Sequence, residues 1–365
     1  MVSRRVPWLQ SARSIDYLNI GLIVLSLLVA LRLPFELFLF SYAVLGPLHY
    51  LTEINWLRER QFFSPGRRDA LWLTALTLLI FLSFLSTEFL RASSSDPHPF
   101  LRRYPELLSA ARFLEQSGSA FVFSALMVSL VFVLIPPGRG RLLWILPILA
   151  VALALRHQVW YAMLFGMFVP TLVHVGVFTG LFMLYGAVKN RSLPGFLSVG
   201  ALILAVLIIL NLSPKVFAGR ELGGATLQSY FSSKFQYLNL ALFQLLAPAH
   251  KVRQYLQEHM PWAFLNTVYG WRIQTLIAFA YTYHYLNWFS KTGIIRWHQV
   301  PRPRLAAAFF IWVVAVVLYF YNYYWGLVAL FFLSMLHVFL EFPLNIQSAR
   351  GLLRAAARRQ APTTP

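Results

Sequence analysis

Residues 70–92 read ALWLTALTLLIFLSFLSTEFLRA, with Glu88 and Arg91 the only charged side chains in the run. Crossing the hydrocarbon core of a bilayer takes about 20 predominantly apolar helical residues. Comparable runs recur at 118–135, 160–188 and 305–325. A membrane β-strand would alternate apolar and polar residues over about ten positions. These runs are continuous, so helices are the remaining way to satisfy the backbone in lipid.

Composition says the same of the whole chain. Of 365 residues, 59% are apolar and 12% charged, where a soluble domain carries about 25% charged residues. No polar block is long enough to bury a core of its own. The expected fold class is therefore all-α, a polytopic integral membrane helical bundle. About ten transmembrane helices are expected, at 16–33, 35–57, 70–92, 118–136, 142–155, 159–188, 195–212, 264–290, 305–325 and 326–346. The fifth is short and contains Pro147, which suits a broken or re-entrant segment. Residues 1–346 form a single transmembrane domain in this reading, and 347–365 a basic cytoplasmic tail whose last residues, 360–365, read as disordered. The first apolar run, 17–31, follows Arg4, Arg5 and Arg13 but precedes no small-x-small cleavage site, so it reads as an uncleaved helix.

The formal net charge is +19. The basic residues sit in short segments beside the apolar runs, where they set orientation and meet anionic lipid headgroups. That distribution argues for membrane lipids as partners and against nucleic acid. With the N-terminus inside, the inner segments 58–68, 136–141, 189–191, 291–304 and the tail are all basic. Both termini are then expected to be cytoplasmic, in a bacterial inner or equivalent membrane. The outer loops become 92–117, with a short helix expected at 105–116, and 213–262, expected to hold interfacial helices. Cysteine is absent, which removes thiolate metal sites, disulfides and Cys nucleophiles.

Ionisable residues inside a span cost several kcal/mol, so each is a candidate for function. His49, His157, His174, His284 and His337 lie in or at the edge of spans. His49 and Glu53 are four residues apart, as are His337 and Glu341. Four helical residues turn about 400° and rise about 6 Å, so each pair projects from one face. Imidazole with carboxylate suits iron, manganese or zinc. Carboxylate-bridged di-metal bundles follow a related logic with Glu-x-x-His. His49 and His284 fall at one depth, about 10–14 Å from the inner edge. Pro343 is expected to end or bend the last helix and so bring His337 nearer that level. His174 sits deeper. The expectation is that His49, Glu53, His284, His337 and Glu341 converge as metal ligands. His174 would add a ligand or proton carrier, and Tyr283 and Tyr285 would tune the site from beside His284. The bland alternative is that each histidine hydrogen-bonds a neighbouring helix.

Arg32 with Glu36, Glu88 with Arg91, and Arg156 with His157 read as local or interfacial pairs, and Arg272 and Gln274 as cavity-lining residues. No nucleotide-binding glycine loop, H-E-x-x-H or G-x-S-x-G motif is present. The general plan resembles histidine-bearing membrane oxygenases acting on carotenoids or lipids, in architecture alone. Three functions fit these residues. The first is a membrane metalloenzyme, a non-haem iron oxidoreductase acting on a hydrophobic small molecule, a lipid or isoprenoid. The second is a proton-coupled transporter or channel using the same residues as a relay. The third is a haem-binding electron carrier with two of His49, His174, His284 and His337 as axial ligands.

Overall fold

Helices account for nearly all of the computed structural model, which describes residues 12–66, 68–92, 104–217, 223–257 and 263–360; among these no strand occurs. In chain order the main helices are α1 (Ala12–Arg32), α2 (Pro34–Glu59), α3 (Asp69–Ala92), α4 (Pro105–Leu134), α5 (Leu142–Leu155), α6 (Val159–Asn190) and α7 (Leu193–Leu210). They continue with α8 (Gly224–Ser232), α9 (Gln236–Leu246), α10 (Ala249–Gln257), α11 (Val268–Ser290), α12 (Arg302–Tyr321) and α13 (Tyr323–Gln360).

Eight of these, α1 to α4, α6, α7, α12 and α13, are long and apolar enough to cross a membrane. That supports a multi-pass integral membrane protein with fewer such helices than the ten expected. Two segments make the difference. The 142–155 run is a helix of 14 residues, about 21 Å long and short of a core about 30 Å thick. The 264–290 run becomes α11, which is long enough at 23 residues but carries Arg272, Gln274, Thr275, Thr282, His284 and Asn287. Polar side chains are tolerable there because protein rather than lipid surrounds them: 15 residues of α11 are buried, on every side of the helix.

Two other boundaries moved. The outer helix expected at 105–116 and the span at 118–136 are one continuous 30-residue helix, because nothing between them breaks the backbone pattern. Pro343 does not end the last helix, which runs through it for 38 residues. The expected disorder at 360–365 falls, apart from Gln360, outside the described residues.

The chain forms two compact units, and their boundaries fall inside helices. The first comprises residues 1–53, 172–330 and 348–365. Its centre is α11, which packs against α1, the first half of α2, α7 and α9. Polar contacts fix these neighbours. The Tyr230 hydroxyl donates to Gln274 Oε1 (2.6 Å), and the Gln274 amide donates to the Pro34 carbonyl (3.1 Å). Arg272 donates to the Leu212 carbonyl (2.9 Å), so both residues expected to line a cavity instead tie α11 to its surroundings.

The second unit comprises residues 54–171 and 331–347. Here α3 and α4 pack along their lengths, with α5 against α4. Ile80, Val122, Ala125, Leu126 and Phe339 form its apolar core. Arg141, 7% exposed, closes one end. Its guanidinium contacts Asp69 Oδ1 at 2.6 Å and donates to the carbonyls of Phe132 and Ile135, each at 3.0 Å. It thereby satisfies carbonyls at the end of α4 that have no helical partner. Asp69 opens α3, where a carboxylate is favoured by the helix dipole, and also accepts from the Gly66 amide (3.0 Å).

Candidate metal centre

Within the first unit α2, α6 and α11 deliver side chains to one place, and α2 and α6 are irregular just before they do so. In α2, Pro47 lacks the N–H that would continue the helical ladder. Immediately ahead of it residues Ser41–Leu45 widen into a π-turn, with the Gly46 amide donating to the Ser41 carbonyl. Such an insertion rotates everything downstream relative to a regular helix. Ser41 Oγ lies 2.7 Å from Thr282 Oγ1, locking the turn to α11. Next to it, a Cβ on Gly46 would come within 3.1 Å of the Tyr285 hydroxyl. The missing side chain lets α2 approach α11 closely, as small residues do between membrane helices.

His49 follows one turn later. Its Nε2 stands 3.1 Å from His284 Nε2 on α11 and 3.2 Å from Glu53 Oε2 on its own helix. His284 Nδ1 is 2.8 Å from Thr179 Oγ1 on α6. A ring nitrogen held by a hydroxyl fixes the orientation of the imidazole and directs the other nitrogen at the site. Thr52 and Trp288 brace the pair, the indole N–H donating to Thr52 Oγ1 at 3.0 Å. The Trp288 ring meets His49 edge-on at 5.5 Å.

Of the three candidate histidines, His49 and His284 belong to the first unit, with their Nε2 atoms 3.1 Å apart, and His337 belongs to the second. The three are 1%, 8% and 5% exposed. Two nitrogens bound to one ion at about 2.1 Å, with bond angles of 90–110°, stand about 3.0–3.4 Å apart. The 3.1 Å between His49 and His284 falls in that range, so this buried pair, with Glu53 beside it, can hold a metal ion.

The remaining expected residues take different places. His174 sits in a 15-residue π-helical stretch of α6, Leu164–Phe178, that contains Pro170. Its ring centre is 5.0 Å from that of His284. The ring centre of Tyr285 lies 5.2 Å from that of His49 and 5.5 Å from that of His284. Tyr283 faces elsewhere: its hydroxyl donates to Asn19 Oδ1 of α1 (3.2 Å) and lies 3.2 Å from Met183 Sδ. Glu341 is buried on α13, one helical turn from His337. His157 contacts Arg156 at an exposed position.

Thr179 is the residue that sequence reading passed over. It stands in an apolar run where a threonine signals packing. The available signal was its spacing: His174 and Thr179 are five apart, one i→i+5 turn of a π-helix, and both adjoin His284. Compared with protein family models, curated proteins and solved structures, the chain matches none.

Proposed function

We propose that this is an integral-membrane metalloprotein holding a divalent transition metal, iron foremost, on His49 and His284 with Glu53 as carboxylate partner, and that the His337 and Glu341 pair, matched to it by the same four-residue spacing, supplies further ligands. Its function in this reading is that of a non-haem oxidoreductase acting on a lipid or isoprenoid. The observation that carries it is the meeting of two buried imidazoles, His49 and His284, Nε2 to Nε2 at 3.1 Å, with the Glu53 carboxylate beside them. Two histidines and a carboxylate with open coordination positions are the pattern of non-haem Fe(II) oxygenases, and the absence of thiolate removes the softest metals. His49, His284 and Glu53 offer those donor types at 3.1 and 3.2 Å. Bound there, a metal would supply Lewis acidity and redox capacity. A site enclosed by membrane helices favours a substrate that already partitions into the bilayer.

Within this reading His174 carries a proton to or from the substrate side of His284. Tyr285 shapes the wall beside both imidazoles, and Tyr283 holds α11 against α1. The membrane is a cytoplasmic one with both termini on its inner face, in keeping with the basic segments. Lipids and a hydrophobic small molecule are the partners.

One observation favours a second reading. Thr179, His284, His49 and Glu53 form an unbroken chain at 2.8, 3.1 and 3.2 Å, which suits a proton relay in a transporter or channel. The haem alternative has less support. Two axial imidazoles stand on opposite faces of a porphyrin with their nitrogens about 4 Å apart, twice a metal–nitrogen bond, whereas His49 and His284 meet directly at 3.1 Å.

Titrating metal-stripped protein in mild detergent with Co²⁺ separates the readings. Coordination by imidazoles gives a visible absorption band that saturates at about one equivalent and is lost in H284Q and H49Q. A spectrum without that band, together with flux driven by a pH gradient in metal-free liposomes, would favour the relay instead. The redox half is tested by oxygen uptake that requires both Fe²⁺ and added lipid extract.

A further inference from the structure

A cavity of about 600 Å³ lies within the second unit, lined by α3, α4, α5 and the turns that join them. This is within the range of small-molecule pockets. Its lining is graded by depth. At one end are Arg68, Asp69 and Arg141, beside the start of α3 and of α5 and the end of α4. At the other are Leu76, Val128 and Leu149. These stand seven, six and seven residues along their helices from that polar end, each about 10 Å away at 1.5 Å per residue. Three separate helices therefore present charge at one level and hydrocarbon about 10 Å further on.

Trp72 and Leu142, 62% and 54% exposed, put part of this lining on the outer surface, where a tryptophan suits the headgroup level. The charges are unequal. Arg141 is committed to Asp69 and two carbonyls, so that pair cancels. Arg68, exposed at the mouth, leaves the lining with one positive charge in excess, and Arg139 is exposed in the adjoining turn.

We propose that this cavity binds one anionic phospholipid, with its phosphate at Arg68 and an acyl chain running between α3, α4 and α5 toward Val128. The gradient of the lining supplies the match to an amphiphile, and the excess charge selects an anionic headgroup. This site is independent of the metal centre and stands or falls separately from it.

The test uses the full-length protein in detergent, titrated with dioleoylphosphatidylglycerol and, separately, with dioleoylphosphatidylcholine, read by native mass spectrometry. One saturable phosphatidylglycerol adduct is expected, favoured over phosphatidylcholine by about fivefold. R68Q, a change at an exposed position, is expected to remove that preference and leave phosphatidylcholine binding unaltered; fivefold corresponds to the ~1 kcal/mol of one basic side chain at an anionic surface. V128W, which fills the apolar end, is expected to abolish retention of both lipids. Equal binding of the two lipids by the wild type, undiminished preference in R68Q, or full retention by V128W would each overturn the proposal.

Discussion

His49 and His284 face each other nitrogen to nitrogen, Nε2 to Nε2, at 3.1 Å. Two imidazole lone pairs do not rest against one another, so something positive belongs on that line: a proton carried by one ring, or a cation bound by both. His284 Nδ1 is already engaged by Thr179, and His49 Nε2 also faces Glu53. The same side chains thus form a proton chain without metal and a donor set with it.

Thr179 orients His284 through its hydroxyl and is not itself among the proposed ligands. T179V is expected to weaken Co²⁺ binding by about 10–100-fold, the usual effect of removing a partner that orients a ligand. T179S, which keeps the hydroxyl, is expected to restore it. Co²⁺ titration of the three proteins side by side measures this. Equal affinity in T179V and wild type would show that the hydroxyl does not orient the ring.

Metal binding to the folded state alone also stabilises it. At a free Co²⁺ concentration one hundred times the dissociation constant, the gain is about 2.7 kcal/mol. The melting temperature in detergent is expected to rise on adding Co²⁺ and fall on chelation, and H49Q is expected to respond to neither. A wild-type melt indifferent to metal would contradict this.

The pair of Asp69 and Arg141 makes a different prediction, about stability alone. D69N leaves a buried guanidinium without its counter-charge, which costs about 3–5 kcal/mol. Replacing both partners, as in D69L/R141M, is expected to cost less than D69N, because no unpaired charge is then buried. Denaturation of the three proteins in detergent orders them. A D69N protein as stable as the wild type would overturn the account of how α3, α4 and α5 are joined.

Gly270 opens the first full turn of α11, where its amide donates to Thr267 Oγ1 (3.2 Å). A Cβ there would collide with the Phe264 carbonyl oxygen and with Leu265. G270A is expected to destabilise by roughly 1–3 kcal/mol through overpacking and, by shifting the start of α11, to weaken Co²⁺ binding at His284. Unchanged melting in G270A would show that the turn adjusts freely.

The long apolar runs make the helices readable from the sequence, and the four-residue spacing puts His49 with Glu53 and His337 with Glu341 on common faces. Three features were not readable, for physical reasons. Helix α11 is the innermost of its unit, and its polar residues blur the signal that marks a lipid-facing span. The π-turns of α2 and α6 add residues to a turn, so the direction of His49, His174 and Thr179 does not follow from a 3.6-residue period. Arg141 looked like one more basic residue in an inner segment, since its partner Asp69 is distant in sequence and only tertiary packing joins them.

Elemental analysis of the protein purified in mild detergent tests the central claim most directly. The account predicts close to one equivalent of a transition metal, iron foremost, in the wild type, and less than a tenth of an equivalent in the H49Q/H284Q/H337Q variant of the same oligomeric state. A wild type with less than a tenth of an equivalent, or a variant that retains the wild-type content, would contradict it.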